Sequence, residues 1–330
     1  MNEHSRLLGA VDDWLPRRTY RGDQWHVDDL VARKGASRTS VVIPARDEEQ
    51  TIGSIVTTVR RHLMDASGLV DELIVVDSRS RDRTAEVAET AGATVVRQDD
   101  VLPDLAPTSG KGEALWKGLA ASTGDLVAFV DGDLRDFAPH FVTGLFGPLL
   151  TEPDVCYVKG FYRRPLELRD DIEADGGGRV TELVARPLLN LYWPELAGLV
   201  QPLAGEYAAR RDVLTLLPFV THYGVEVGHL IDLLDICGLA GLAQVDLGVR
   251  RHRHQSTHSL GVMASQIMLT VLGRVARTGR LPHDAPTSMT LAQFHTTGTA
   301  FPEPTRKRVL VELSVAERPP LATLEEASWR

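Results

Sequence analysis

Two carboxylates one residue apart, Asp131 and Asp133, close the apolar run Leu126-Val-Ala-Phe-Val-Asp-Gly-Asp-Leu134. An Asp-x-Asp at the carboxyl end of a buried strand puts hard oxygen ligands where open α/β sheets bind their ligands. Such oxygens suit Mg²⁺ or Mn²⁺, and Mg²⁺ is usually held by one or two carboxylates together with substrate phosphates. Asp and Gly also make ordinary strand-ending turns, so the tripeptide needs support from its context.

That context supplies further groups in an order that suits a nucleoside-diphosphate site. Pro44-Ala-Arg-Asp-Glu48-Glu49 ends an earlier strand, where a carboxylate and backbone amides could meet a base or ribose. The plain alternative is an acid-rich helix start. In Asp77-Ser-Arg-Ser-Arg-Asp-Arg-Thr84, Ser80 can cap the next helix, which leaves Asp77 and Ser78 facing a ligand. Lys111 stands between glycines at a helix start, a suitable place for a cation beside phosphate. The preceding glycines are not spaced as in a Walker motif. His252, within Arg250-Arg-His-Arg-His254, is a candidate third ligand for the cation, although a lone histidine is more often structural.

A second anion site is read at Gly176-Gly-Gly-Arg-Val-Thr181. Glycine amides, the positive end of a helix and a guanidinium fork together form an anion nest. The bland alternative is a flexible loop before a capped helix. Tyr223-Gly-Val-Glu226 could bring a carboxylate to sugar hydroxyls, against the alternative of an acidic first helical turn.

The elements that must position these groups follow from periodicity. Thr39-Ser-Val-Val-Ile-Pro44, Asp71–Asp77, Ala93–Val96 and the Asp-x-Asp run read as strands. Helical spacing runs from about Glu48 to Leu63, from Ser80 to Ala91 and from Lys111 to Ser122. Strands alternating with helices at this spacing imply βαβ units, hence an α/β chain with a mostly parallel central sheet. Past residue 150 the pattern changes: strands are read at Val155–Tyr162 and Ala243–Val249, helices near 180–191, 225–237 and 259–278. The expected organisation is an N-terminal extension (1–38) without regular period, a first half (39–150), a second half of the same compact body (151–280) and a loosely structured tail (281–330).

Composition bounds the partners. The chain has 330 residues, 43% of them hydrophobic, and a formal charge of −9, which argues against an extended nucleic-acid surface. Cys156 and Cys237 lie far apart in apolar surroundings and read as buried free thiols. No secretory leader and no run of about 18 apolar residues is evident, so a soluble cytoplasmic protein without integral membrane contact is expected.

Together these segments resemble the GT-A nucleotide-sugar glycosyltransferases, and more narrowly the retaining glucosyl-3-phosphoglycerate and mannosyl-3-phosphoglycerate synthases. The likeness rests on Val42-Ile-Pro-Ala-Arg-Asp-Glu-Glu49, Gly110-Lys-Gly-Glu-Ala-Leu-Trp116, Phe129-Val-Asp-Gly-Asp-Leu134, Gly176-Gly-Gly-Arg-Val-Thr-Glu-Leu-Val-Ala-Arg-Pro-Leu-Leu189, Gln201-Pro-Leu-Ala-Gly-Glu-Tyr207 and Tyr223-Gly-Val-Glu226. It implies a Rossmann-like GT-A fold and transfer of glucose or mannose from UDP-glucose, GDP-glucose or GDP-mannose to the 2-hydroxyl of D-3-phosphoglycerate. It implies donor contacts from Pro44, Glu48, Ser78, Lys111, Asp131, Gly132, Asp133, Tyr223 and Glu226, and a divalent cation, Mg²⁺ or Mn²⁺, on Asp133 and His252. Gly178, Arg179, Thr181, Arg250 and His254 would hold the acceptor, with Lys111, Asp133 and Glu226 nearest the chemistry. His254 stands where the glucosyl branch carries an Asn. The family also implies a homodimer.

Two other readings compete. One is a GT-A enzyme acting on a polyprenyl phosphate or a polysaccharide. The other is a sugar-nucleotide-binding protein without turnover. A dinucleotide-dependent dehydrogenase fails on the first βα turn, which has no G-x-G-x-x-G.

Overall fold

The computed structural model of the chain describes residues 3–163, 166–168, 171–173, 178–250, 256–278, 290–297, 305–312 and 317–323. Helix α1 (Glu3–Arg18), strand β1 (Thr19–Arg21) and α2 (Val27–Lys34) precede the first alternating units. These are β2 (Thr39–Ala45), α3 (Ile52–Val59), β3 (Glu72–Asp77), α4 (Thr84–Thr90), β4 (Thr94–Arg97), α5 (Lys111–Ala121) and β5 (Leu126–Phe129). Then follow α6 (His140–Thr151), β6 (Tyr157–Arg163), β7 (Leu166–Leu168), β8 (Asp171–Glu173), α7 (Arg186–Tyr192), β9 (Tyr207–Arg210), α8 (Arg211–Leu214) and β10 (Phe219–Val220). The chain continues through α9 (Val225–Cys237), β11 (Leu242–Val249), α10 (Thr257–Arg277), β12 (Thr290–Thr297), β13 (Thr305–Glu312) and β14 (Glu317–Arg318).

Eight strands form one sheet in the order β1-β11-β6-β9-β5-β2-β3-β4. All neighbours are parallel except β9, which runs antiparallel between β5 and β6. The central strands are buried on both faces, which is why they read as unbroken apolar runs. Val42, Val127 and Phe129 join one core with Trp116, Leu230 and Val271. Val41, Ile43 and Ala128 join the other, with Ile55, Val59 and Phe146. From β2 the chain passes outward to β3 and β4, then returns to place β5 on the opposite side of β2. That reversal opens a crevice at the carboxyl ends of β2, β3 and β5, the usual ligand position in such sheets.

Several expectations need correction. The N-terminal segment is helical, and β1 extends the sheet by pairing with β11. Val11, Trp14 and Leu30 are its buried hydrophobic anchors among the described side chains, and Trp14 Nε1 donates to the Leu242 carbonyl at 2.9 Å. Anchors so few and so spread out create no visible period. The C-terminal stretch contains a β12–β13 hairpin and a strand, β14, that pairs with β10. Cys156 and Cys237 are joined in a disulfide rather than free. The apolar setting was legible, but the end of α9 reaches the approach to β6 only through the tertiary fold. Finally, α10 is long and apolar enough to cross a membrane by length and composition. One face of it, with Ile267, Val271, Arg274 and Val275, is buried in the protein.

Candidate active site

The turn after β2 and the turn after β3 lock together. Backbone amides of Asp47, Glu48 and Glu49 donate to Ser80 Oγ (3.1 Å), Thr84 Oγ1 (2.7 Å) and Asp82 Oδ2 (3.1 Å). In return Asp47 and Glu49 carboxylates accept from the amides of Arg81 and Arg83. Ser80 therefore does not cap a helix: α4 begins at Thr84, and Asp82 accepts from the Thr84 amide. Asp47 takes φ 58° to make this turn. The lock leaves Pro44, Glu48 and Ser78 on the rim of the crevice.

At its floor, α5 starts at Lys111 after Gly110, whose φ of 109° only glycine adopts readily. A Cβ on Gly110 would also strike the His222 ring at 2.5 Å. Lys111 Nζ lies 2.7 Å from Asp131 Oδ1 and 3.0 Å from Glu226 Oε1. Burial works against its charge, but Asp131 and Glu226 outweigh it, and its pKa stands well above the ordinary lysine value. Asp131 is likewise held far below the carboxylate range; burial opposes this, and Lys111 with Arg250 prevails.

Arg250 is the second hub. Its guanidinium meets Asp133 Oδ1 at 2.6 Å, Asp131 Oδ2 at 3.2 Å, Glu206 Oε1 at 3.0 Å and the Tyr162 hydroxyl at 2.6 Å. Four carboxylates, Asp131, Asp133, Glu206 and Glu226, thus surround two cations, Lys111 and Arg250. A further cation has room electrostatically. Asp131 has both oxygens engaged, whereas Asp133 offers Arg250 one oxygen and keeps its side chain 41% exposed. Glu48, across the crevice, is pushed up to about 7 by burial and then by Asp133 and Asp131.

These walls enclose a cavity of about 640 Å³. Its lining includes Pro44, Glu48, Ser78, Lys111, Asp131, Gly132 and Asp133, with Tyr223, Glu226 and Arg250 and with Gly178, Arg179 and Thr181, but not Asp77, which was also singled out from the sequence. Gly178 has φ 81°, Thr181 is buried and Arg179 is exposed. A π-helical turn, Thr181–Ala185, leads from this nest into α7. Arg250, read beforehand as an acceptor contact, lines the cavity with its guanidinium turned onto the carboxylates. His252 and His254 lie outside the described residues, and no cluster of three His, Cys, Asp or Glu suited to a metal occurs among the described ones.

Glu206 and Tyr162 were missed. Both lie in segments already singled out, and the available signal was a Glu between Gly205 and an aromatic in an otherwise apolar stretch. Gly205 makes room for this pair, because a Cβ there would sit 2.3 Å from the Asp131 carboxylate and 2.4 Å from Lys111 Nζ and push them from their positions. The cavity-lining apolar face of α10, with Leu260, Met263 and Ile267, was also not anticipated.

A Rossmann-like sheet with an Asp-x-Asp at its switch point defines a GT-A glycosyltransferase, and the model of Glycosyl transferase family 2 matches residues 40–207. Within that class the chain belongs to the glucosyl-3-phosphoglycerate and mannosyl-3-phosphoglycerate synthase family, and it is a hexosyltransferase. It is 49% identical to glucosyl-3-phosphoglycerate synthase of Mycolicibacterium smegmatis, over 94% of this chain and 98% of that relative. The crystal structure of the Mycobacterium tuberculosis enzyme with Mn²⁺, UDP and glucosyl-3-phosphoglycerate superposes with a TM-score of 0.81. Identity is 44%, covering 93% of this chain and 99% of that one. Mannosyl-3-phosphoglycerate synthase from Rubrobacter xylanophilus gives a TM-score of 0.85 at 38% identity, covering 95% and 98%.

Proposed function

We propose that the chain transfers glucose from UDP-glucose to the 2-hydroxyl of D-3-phosphoglycerate with retention at the anomeric carbon. The observation that carries this reading is the single cavity itself. Lys111 and the Asp-x-Asp line it together with the Gly178-Arg179-Thr181 nest, so it could admit two phosphate-bearing ligands side by side. The M. tuberculosis relative has been solved with Mn²⁺, UDP-glucose and phosphoglyceric acid together, and with Mg²⁺ and UDP. Pro44, Glu48 and Ser78 would line the nucleotide, Lys111 the diphosphate, and Tyr223 with Glu226 the sugar. Arg179 and the nest amides would fix the acceptor phosphate, so that the hydroxyl is positioned rather than merely encountered.

A divalent cation would be held by Asp133 and His252, and the half-exposed Asp133 carboxylate fits that role. When bound it supplies charge stabilisation to the departing diphosphate. Lys111 adds to the same stabilisation from a preorganised, poorly hydrated position. Glu226 is buried and tied to Lys111, which orients a sugar hydroxyl better than it supplies a free nucleophile. Same-face substitution, with the leaving phosphate oxygen taking the acceptor proton, is therefore our mechanism. A glycosyl adduct on Glu226 seen by mass spectrometry would sink it. The family resemblance further supports a homodimer.

The deciding experiment is product formation with Mg²⁺ and D-3-phosphoglycerate, with UDP-glucose, GDP-glucose and GDP-mannose run in parallel. Transfer from UDP-glucose, to an anomerically retained product, is expected. Exclusive use of GDP-mannose would place the chain with the mannosyl branch, and binding of all three without transfer would remove the acceptor assignment.

A further inference from the structure

The two-residue strand β14 lies far beyond the segment matched by the family model, yet it touches three elements that carry or adjoin cavity-lining residues. We infer that the C-terminal segment 317–323 is a latch that shapes the donor wall, with Arg318 as its positioning residue. The inference rests on the donor role proposed for that wall.

The first contact is with the turn before Lys111. Arg318 Nε and Nη2 each donate to the Glu113 carboxylate at 2.9 Å, and Nη2 also donates to the Ala106 carbonyl at 2.7 Å and to Thr108 Oγ1. The guanidinium sits 5.3 Å over the Trp116 ring. Thr108 carries the contact onward: its carbonyl accepts from Gln98 Nε2 at 3.1 Å, and Gln98 accepts from Ser78 Oγ at 2.7 Å. Arg318 thereby braces both Ser78 and the Ser109-Gly110-Lys111 rim.

The second contact is backbone pairing, Phe219 with Arg318 and Val220 with Glu317. β10 runs straight into His222 and Tyr223, and a Cβ on Gly112 would lie 1.8 Å from the Val220 carbonyl. The third is Glu317, 3.1 Å from Arg274 Nη1 on α10. Arg274 is buried and also holds Asp232 of α9, the helix with Glu226 in its first turn.

A tail that merely covers surface would not need this chemistry. Glu113 is 1% exposed, and besides Arg318 its cationic partner among the described residues is Lys117 at 4.0 Å. Breaking a buried pair leaves an uncompensated charge, which must neutralise or turn outward. Glu113 is two residues from Lys111, so the first turn of α5 would move with it.

The test compares the wild type with Arg318→Met and Arg318→Lys. The readouts are KM for UDP-glucose, KM for D-3-phosphoglycerate, kcat, calorimetric Kd for UDP with Mg²⁺, and Tm. For Arg318→Met, loss of a charge-assisted contact predicts an about tenfold rise in donor KM and UDP Kd. Acceptor KM should stay within about twofold, because the acceptor nest is untouched, while kcat falls with the displaced Lys111. Arg318→Lys, which keeps the charge without the fork, should fall between. An unchanged UDP Kd in Arg318→Met, whatever its Tm, overturns the latch, as does an equal rise in both KM values. A wild type that binds UDP but transfers nothing would refute the proposed reaction, while the Kd comparison would still decide the latch.

Discussion

The two groups of residues assigned to the two ligands are built on opposite plans. On the wall assigned to the donor, Lys111, Asp131, Arg250 and Glu206 each meet at least one opposite charge, and Arg250 and Glu206 are buried. Glycines at 110, 112 and 205 let the backbone close in on that network. On the wall assigned to the acceptor, a positive-φ glycine and an exposed arginine precede a π-helical turn. The difference suits the chemistry proposed. A departing diphosphate needs fixed charge already in place, since reorganisation during the step raises the barrier. An acceptor phosphate needs only a docking point that can be reached from solvent.

If the donor wall is a preorganised electrostatic unit, its hub should be the most sensitive position. Lys111→Met should lower kcat/KM for transfer by about 10³-fold, the scale for removing a preorganised transition-state contact. Steady-state kinetics with circular dichroism as the folding control would check it. A loss under tenfold would mean that the lysine serves the empty protein rather than the reaction. The opposite wall should respond differently. Arg179→Ala should raise KM for D-3-phosphoglycerate about 10²-fold, from loss of a charged, bidentate contact. UDP affinity measured by calorimetry should not change. A parallel loss of UDP affinity would abolish the division into two walls.

The same comparison extends to stability. Glu206 is fully buried against Arg250, so Glu206→Gln leaves the guanidinium with Asp131 and Asp133 as its carboxylate partners. Removing one member of a buried charged contact should cost about 2–3 kcal/mol. Urea denaturation would show it as a lower midpoint at unchanged slope. Arg179→Ala, on the exposed wall, should leave the midpoint within about 0.5 kcal/mol of the wild type.

How much of this was legible beforehand follows the same divide. Residues near strand ends, such as Asp131, Asp133, Pro44 and Ser78, were readable because a buried strand announces where it stops. Lys111 was readable from its flanking glycines. Glu206 was not, because its role depends on β9 inserting antiparallel between β5 and β6, a pairing no local pattern encodes. The capping role read for Ser80 failed for a related reason: the amide it serves, like those served by Asp82 and Thr84, belongs to another loop. β14 escaped because two residues carry no period. The Cys156–Cys237 pairing likewise had no signature in spacing.

The smallest effect probes the crevice between the walls. Burial, then Asp133 and Asp131, push Glu48 from the ordinary 4.5 up to about 7. The folded chain therefore keeps a proton that the unfolded chain has already released. Across the window from 4.5 to about 7 the native state binds more protons, so stability falls as pH rises. Below that window the effect vanishes, and above it the penalty is complete. Glu48→Gln is neutral throughout, so its urea midpoint should gain on the wild type as pH rises across the window and stay constant relative to it above. Mg²⁺ with UDP should narrow the gap, because a cation beside Asp133 cancels part of the repulsion that raises Glu48. Parallel stability curves for the two proteins would show that the crevice is wetter than its geometry implies. A gap unchanged by Mg²⁺ and UDP would instead place the cation away from Asp133, and with it the proposed metal site.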